Sequence, residues 1–146
     1  MMSEDLSPFY ELQFSAEEIT GKIKLSQLNN ISVPVTFSLE DDEGETVPID
    51  HQSMLTFSQQ RIALLTPQRL DEIIYAAAHE ITAAAYENVV PESDLQALIT
   101  DMHLKELVFF NHDFLIVFAS PNIFRDQDIN VQLSDSLEII ETTVDL

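Results

Sequence analysis

The sequence predicts a single α+β domain, because three kinds of segment follow one another along its 146 residues. Residues 31–40 alternate apolar and polar side chains, which is typical of a β-strand with one buried face. Residues 66–88, TPQRLDEIIYAAAHEITAAAYEN, repeat apolar residues at intervals of three and four, as an amphipathic helix does. From Leu104 onward the period returns to two. Separate runs of strands and helices are typical of α+β folds, and the chain length suits one domain.

The helix at Thr66–Asn88 is the clearest predicted element. Thr66 can cap its amino end, and Pro67 suits the first helical position, which needs no backbone donor. The residues expected to face the core are Leu70, Ile73, Ile74, Ala77, Ile81 and Ala84. A second, mixed stripe at the same spacing contains Tyr75, His79, Thr82 and Tyr86. This mixed stripe predicts either the flank of a core or the lining of a pocket between the helix and the sheet.

Three or four strands are predicted before the helices. Pro8–Phe14 and Gly21–Leu25 form the first two strands, and Ile31–Glu40 forms the third. The residues expected to share one face are Tyr10, Leu12 and Phe14 in the first strand and Ile31, Val33, Val35, Phe37 and Leu39 in the third. Pro34 has no backbone donor, so the third strand is expected at a sheet edge or with the proline nitrogen facing away from its neighbour. Val47–Asp50 is the fourth candidate strand.

Two further helices and four C-terminal strands complete the predicted fold. The first helix is expected at Met54–Leu65, and a short third helix is expected to start at a capping box of Ser93 and Gln96 and to end near Met102. The C-terminal strands, an antiparallel meander packed on the long helix, are Leu104–Phe110, Phe114–Ala119, Asp128–Leu133 and Leu137–Asp145. The alternation slips in the last strand, which predicts a β-bulge near Ile139.

The charge of the chain restricts its partners. There are 26 Asp and Glu against 6 Lys and Arg, which gives a net charge of -20. The basic residues are scattered singly, so direct binding to nucleic acid is not expected. An acidic surface favours encounter with a basic protein, although the same charge also serves solubility. No secretion signal or membrane-spanning run is recognisable, which predicts a cytoplasmic protein that does not enter membranes.

Motifs for catalysis or metal binding are not recognisable in the sequence. The chain has no cysteine and only 2 glycines, which excludes disulfides, thiolate chemistry and glycine-rich phosphate loops. The 4 histidines are not spaced as metal ligands. A catalytic carboxylate pair stays open in so acidic a chain, but the spacing distinguishes no such pair. We therefore expect a protein without catalytic residues, metal or cofactor.

Two segments are candidate protein-binding sites. The first is an acidic turn, where carboxylates repel one another and suit either a solvated tip or a basic partner. Its residues are Glu40, Asp41, Asp42, Glu43 and Glu45. The second is segment 119–128, ASPNIFRDQD, with candidates Phe124, Arg125, Asp126 and Asp128. Exposed aromatic and charged loop residues often bind partners, but Ile123 and Phe124 could instead close the end of the core while Arg125 pairs with a nearby aspartate.

The segment Phe109–Ile129 also carries a resemblance. Its aromatic-rich strand, its Ser-Pro-x-Ile-Phe loop and its following strand resemble those of small, acidic, uncharacterised bacterial domains, some of which are regarded as immunity-like proteins of polymorphic toxin systems. The likeness covers most of the chain in layout but only this segment in residues. Those relatives tend to continue the loop with Gly-His, where this chain has Arg125 and Asp126. The resemblance implies a protein that covers a toxin, and it implies no catalytic residues.

These observations leave three hypotheses for function. The first is a non-enzymatic acidic binding protein whose partner is a basic protein, such as a toxin neutralised by an immunity protein. The second is a small-molecule-binding domain or minor enzyme with a pocket near Tyr75, His79 and Tyr86. The third is an assembly subunit, such as a homodimer, in which an edge strand at Ile31–Leu39 pairs with a copy of itself.

Overall fold

A computed structural model describes residues 9–15, 18–25, 30–38, 51–87, 90–110 and 113–144. Within these residues, one seven-stranded sheet keeps its strands in chain order. The strands are β1 (Phe9–Phe14), β2 (Glu18–Leu25), β3 (Ile31–Ser38), β4 (His103–Phe109), β5 (Asp113–Ser120), β6 (Phe124–Ser134) and β7 (Ile139–Val144). Between β3 and β4 come the helices α1 (His51–Ala63), α2 (Pro67–Ala85) and α3 (Glu92–Asp101). The predicted α+β class is confirmed.

The two predicted groups of strands belong to one sheet. Strands β1 to β3 are antiparallel to one another, and so are β4 to β7. The groups join where β3 and β4 pair in parallel, with Val35 opposite Leu107 and Phe37 opposite Phe109. A parallel pair requires a long crossover connection, which the helical segment supplies. The predicted C-terminal meander is therefore present, but it is only part of a larger, mixed sheet.

Four phenylalanine rings occupy the centre of the core, across the junction of the two strand groups. The rings of Phe37 and Phe109 stack with their centroids 5.2 Å apart, and those of Phe109 and Phe114 stack at the same distance. Phe9 meets Phe37 edge-on at 5.0 Å. All four side chains are buried in one cluster with apolar residues of the three helices. This aromatic cluster packs β1, β3, β4 and β5 against the helical layer.

Helix α2 begins as predicted. The Thr66 side chain accepts a hydrogen bond from the Arg69 backbone N–H at 3.1 Å, and Pro67 is the first helical residue. The helix ends at Ala85, before the predicted end, because Glu87 takes a φ of 54° that is incompatible with a right-handed helix. Asn88 lies outside the described residues.

The buried stripe of α2 differs from the predicted one. Its buried residues are Ile73, Ala77, Ala78 and Thr82. Ala84, which was expected to face the core, is exposed. Thr82, which was expected in the mixed stripe, packs inside instead. The small side chains of Ala78 and Thr82 allow this rotation, because a helix can approach its neighbours closely where its residues are small.

The predicted face of β1 is wrong. Phe9 is the buried residue, whereas Tyr10 and Phe14 are exposed. The register against β2 shifts between Tyr10 and Gln13, and Glu11 within this shift has a φ of 54°. A bulge of this kind reverses which side chains face the core. It also explains Gly21 in β2, where a Cβ atom would lie 2.7 Å from Leu12 Cδ2.

Strand β3 lies inside the sheet, so the prediction that it forms an edge is wrong. It pairs with β2 along its whole length and with β4 from Val35 to Phe37. Pro34 comes immediately before the residues paired with β4. β3 therefore has a neighbouring strand on each side, and from Val35 to Phe37 it does not offer the free edge on which the homodimer hypothesis depends. Ile31 is exposed rather than buried, and Leu39 lies outside the described residues.

Helix α3 starts without the predicted capping box. Pro91 is its N-cap and makes no side-chain capping bond. The helix begins at Glu92, one residue before the predicted cap Ser93, and Gln96 Nε2 instead donates to Glu92 Oε1 at 3.1 Å. Helix α1 begins at His51 rather than Met54. The candidate strand Val47–Asp50 lies outside the described residues.

The bulge predicted near Ile139 is confirmed in β7. Gln132 of β6 lies opposite Glu141, but the next residue, Leu133, lies opposite Ile139. Ile140 is thus the extra residue, and its side chain is 56% exposed. The bulge lies on an outer strand of the sheet, where such irregularities hinder pairing with other molecules.

One basic side chain is buried between α1 and the ends of two strands. Arg61 donates from Nε to Asp135 Oδ1 at 2.9 Å and from Nη1 to the Phe110 carbonyl oxygen at 3.1 Å. A buried guanidinium is tolerated where its donors are satisfied in this way. Arg61 therefore fixes α1 to the end of β4 and to the turn between β6 and β7.

Replacing Phe109 by Leu is expected to lower the free energy of unfolding by about 1–2 kcal/mol, because the change removes aromatic stacking and leaves space in a closely packed core. Urea denaturation followed by circular dichroism measures the change. Phe57→Leu is the matched control, since Phe57 in α1 is half exposed. The unfolding free energy of the Phe57→Leu variant should fall by less than about 0.5 kcal/mol. Equal losses in the two variants would contradict a central role for the aromatic cluster.

Candidate functional site

The turn between β5 and β6 is held by a single carboxylate, that of Asp101 at the end of α3. Its Oδ2 atom accepts hydrogen bonds from Ser120 Oγ at 2.6 Å and from the backbone N–H groups of Asn122 and Ile123 at 2.9 and 3.0 Å. Its Oδ1 atom accepts from Asn122 Nδ2 at 2.7 Å. The Asp101 residue is only 7% exposed. Four donors thus converge on one anion, one from the strand end at Ser120 and three from the turn residues Asn122 and Ile123.

These hydrogen bonds keep Asp101 ionised. The bond from the Ser120 hydroxyl, followed by the bonds from Asn122 and Ile123, holds the pKa of Asp101 below its usual range, although burial opposes this effect. A negative charge at the carboxyl end of a helix is unfavourable with respect to the helix dipole. Hydrogen bonds to the turn therefore explain why an aspartate is found at the end of α3, where the helix dipole disfavours it.

The turn itself is shorter than the sequence predicts. Strand β6 begins at Phe124, which lies opposite Ser120, while the preceding residue of β5, Ala119, lies opposite Asp128. Residues 125–127 are therefore a bulge within β6, and only 121–123 connect the strands. The prediction of a loop as far as Asp128 is wrong, because strand pairing resumes immediately after the residues held by Asp101.

The four candidate residues in this segment have different environments. Phe124 is half-buried and packs against the core, which confirms part of the core-closing interpretation. Asp128 Oδ1 forms an ion pair of 2.8 Å with Lys105, which raises the pKa of that lysine. Arg125 and Asp126 are exposed and form no ion pair or hydrogen bond with the described residues. The expected local pairing of Arg125 with an aspartate is therefore not found in this part of the chain.

A groove of about 380 Å³ opens beside the turn, between the end of α2 and the start of α3. We call it the Tyr86 groove, and its lining residues are Ile81, Thr82, Ala85, Tyr86, Asp94, Ala97, Leu98, Ile123 and Phe124. Two candidates from distant parts of the sequence, Tyr86 and Phe124, therefore line one surface. The Tyr86 residue is 47% exposed, and Ile123 is 44% exposed.

The Tyr86 groove has one acidic group, Asp94. The Tyr86 hydroxyl donates a hydrogen bond to Asp94 Oδ2. This bond, together with the negative charge of Asp94, raises the pKa of Tyr86 above its usual value of 10.0, so the phenol is neutral at physiological pH. The other carboxylate oxygen, Oδ1, has no hydrogen-bond partner among the described residues. The groove thus combines apolar walls, an aromatic ring and an available acceptor.

Tyr75 lines a second groove, of about 580 Å³, farther along the same two helices. We call it the Tyr75 groove, and its lining residues are Gln68, Asp71, Glu72, Ile74, Tyr75, Gln96 and Ile99. The Tyr75 residue is 50% exposed, and its ring centroid lies 6.0 Å from that of His79, which lines neither groove. Both tyrosine grooves are formed between α2 and α3, whereas the sequence suggested a pocket between the long helix and the sheet.

Asp94 and Asp101 were not recognised as functional candidates from the sequence. Asp94 lies eight residues after Tyr86 on a different helix, and local spacing does not connect the two. Asp101 had one usable signal, since an aspartate in the last turn of a helix is electrostatically unfavourable and suggests a tertiary partner. The acidic turn Glu40–Glu45 lies outside the described residues.

Metal-binding clusters and membrane-spanning helices are both absent from the described residues. In the ranges given above, no group of three or more His, Cys, Asp or Glu is arranged to hold a metal ion. No helix in the same ranges is both long and apolar enough to cross a membrane. Comparison of the chain with protein-family models, curated proteins and solved structures gave no match.

The substitution Asp101→Asn is expected to accelerate amide hydrogen exchange at Asn122 and Ile123 by about tenfold or more, because a neutral amide weakens the bonds from both backbone donors. Exchange measured by NMR at neutral pH tests this. Asp126→Asn makes the same chemical change at an exposed position in the adjacent bulge and should leave both rates within about twofold of the wild type. Similar rates in all three proteins would mean that Asp101 does not hold the turn.

Acidification should remove the stabilising contribution of Asp101. Its pKa is lower in the folded protein than in the unfolded chain, so the contribution is complete above the unfolded pKa of about 3.9. It is lost as the pH falls through the folded value. The difference in unfolding free energy between wild type and Asp101→Asn, measured by urea denaturation, should therefore be constant near neutrality and shrink below about pH 4. A difference that stays constant down to about pH 3 would be the contrary result.

Proposed function

We propose that this chain is a non-enzymatic binding protein whose partner is a basic protein, and that it acts as an immunity protein does when it covers a toxin. The observation that carries the proposal is the Tyr86 groove, where exposed apolar and aromatic side chains surround a carboxylate on a strongly acidic protein. Apolar anchors supply affinity in protein interfaces, and complementary charge supplies steering and specificity.

Ion pairing within the chain leaves the acidic charge in large excess. Among the described residues, four basic side chains form ion pairs with acids, and these pairs are Lys22–Glu11, Arg61–Asp135, Arg69–Glu72 and Lys105–Asp128. The 6 Lys and Arg of the chain cannot balance the charge of its 26 Asp and Glu. A surface of this sign attracts positively charged proteins over distances of about 10 Å at moderate salt, and it repels nucleic acid and anionic membranes.

The face formed by α2 and α3, which we call the helical face, has the residue types that protein interfaces favour. Tyr75, Tyr86 and Ile123 are each about half exposed along it. Tyrosine provides a large contact area with few rotatable bonds, so little conformational entropy is lost when it is covered. The hydrogen bonds of Asp101 hold Ile123 in place, so one edge of this face is already ordered before a partner arrives.

A small-molecule site is the second candidate, and the Tyr75 groove favours it. Its volume of about 580 Å³ is within the range of ligand pockets, and its lining combines Tyr75 with the polar side chains of Gln68, Asp71 and Gln96. A thermal-shift screen of metabolites and metal ions tests this function, because a ligand that binds only the folded state raises the melting temperature. A large shift that Tyr75→Ala abolishes would establish the small-molecule function and contradict the proposed one.

Copurification with tagged protein from the source organism should recover a basic protein at low salt. With that partner purified, the dissociation constant should rise about tenfold or more between roughly 50 and 500 mM NaCl, because screening weakens attraction between opposite charges. Titration calorimetry provides the measurement. Failure to recover any basic partner, or binding that does not depend on salt, would contradict the proposal.

Charge reversal locates the acidic contribution. Asp126 lies two residues after Phe124 of the Tyr86 groove. We expect Asp126→Lys to weaken binding by about tenfold, and reversal of the acidic turn 40–45 to do the same. Glu141→Lys on the outer strand β7 makes the same change in net charge as Asp126→Lys, away from the helical face, and should weaken binding by no more than about threefold. Equal effects of Asp126→Lys and Glu141→Lys would indicate that only the net charge matters.

A further inference from the structure

The volume and lining of the Tyr86 groove can accommodate one long side chain. Its volume of about 380 Å³ lies at the small end of ligand pockets. Ile81, Ala85 and Ala97 give it apolar walls, and Ile123 and Phe124 add further apolar lining. A polar group packed against these apolar walls would lose its hydrogen bonds to water without gaining others. A side chain that fills the groove must therefore have an apolar stem.

The polar groups of the groove select a cation. Asp94 is an exposed carboxylate whose Oδ1 atom has no hydrogen-bond partner among the described residues, whereas the Tyr86 hydroxyl donates to Oδ2. That bond places the tyrosine hydroxyl beside the carboxylate, so a positive group at Asp94 also lies close to the Tyr86 side chain. An anion would be repelled by Asp94, and a purely apolar group would leave the carboxylate desolvated without a partner.

We propose that the Tyr86 groove is the recognition site for a single arginine side chain of the basic partner, with the guanidinium at Asp94 and Tyr86 and the methylene stem between the helices and Ile123. This assignment rests on the proposed function, because it needs a basic protein partner. Arginine fits better than lysine, since its planar guanidinium can bond a carboxylate while stacking on an aromatic ring. Arg125 of the chain itself does not line the groove, so another molecule must supply the cation.

Three short peptides test the site without knowledge of the partner. The probe is acetyl-Leu-Arg-Leu-amide, and its neutral and acidic counterparts carry citrulline or glutamate in place of arginine. In an NMR titration of the full chain, saturable shifts are expected at the amides of Tyr86, Asp94 and Ile123. Citrulline has nearly the shape of arginine but no charge. Its peptide should therefore bind at least about fivefold more weakly than the arginine peptide.

Matched variants separate the site from the general acidity of the protein. Asp94→Asn keeps an acceptor for the Tyr86 hydroxyl but removes the charge, and it should weaken the arginine peptide about fivefold, to the level of the citrulline peptide. Glu92→Gln removes the same charge two residues away on α3, outside the groove. It should change the affinity less than about twofold. Tyr86→Leu should also weaken binding, whereas Tyr75→Leu, an equally exposed tyrosine of α2, should not.

Three results would overturn the assignment: equal binding of the arginine and citrulline peptides, equal losses in Asp94→Asn and Glu92→Gln, or shifts spread evenly over the acidic surface. The copurified basic protein then distinguishes the two proposals. If it binds wild type and Asp94→Asn equally, the groove assignment fails and the proposed function stands. If no basic protein copurifies while the peptide results hold, the proposed function fails, and with it the assignment of the groove to a partner's arginine, although the groove itself binds guanidinium groups.

Discussion

The parallel pairing of β3 with β4 is the constraint on which the rest of the structure depends. Without it the chain would have two antiparallel groups, each with an unpaired inner edge. The pairing places Phe37 against Phe109, so the contact that joins the groups is also the centre of the aromatic core. It also requires a long connection, and all three helices are part of that connection.

The same connection brings Asp101 to the turn that it holds. Helix α3 ends two residues before His103, and His103 starts β4 opposite Ala119 of β5. The last residue of the helix therefore lies beside Ser120, where β5 ends and the turn begins. The order of strands in the sheet thus determines which carboxylate meets these donors, and that carboxylate determines where Ile123 lies on the helical face.

The Tyr86 groove arises at the meeting of three separate segments. Helix α2 supplies Tyr86, helix α3 supplies Asp94, and the turn after β5 supplies Ile123. Each segment is fixed by a different interaction. Packing in the core fixes α2, the crossover to β4 fixes α3, and the hydrogen bonds of Asp101 fix the turn. The positions of the residues that line the groove are therefore set by interactions within the chain itself.

The sequence by itself determined the features that depend on residues a few positions apart: the α+β class, the cap of α2 at Thr66 and the bulge of β7 near Ile139. Only the tertiary structure decided that β3 lies inside the sheet, that Phe9 is the buried residue of β1, and that Asp101 holds the turn after Ser120. These depend on which distant strands pair and in what register. Local spacing predicts an element and its amphipathic pattern, but it contains no information on the neighbour that the element meets.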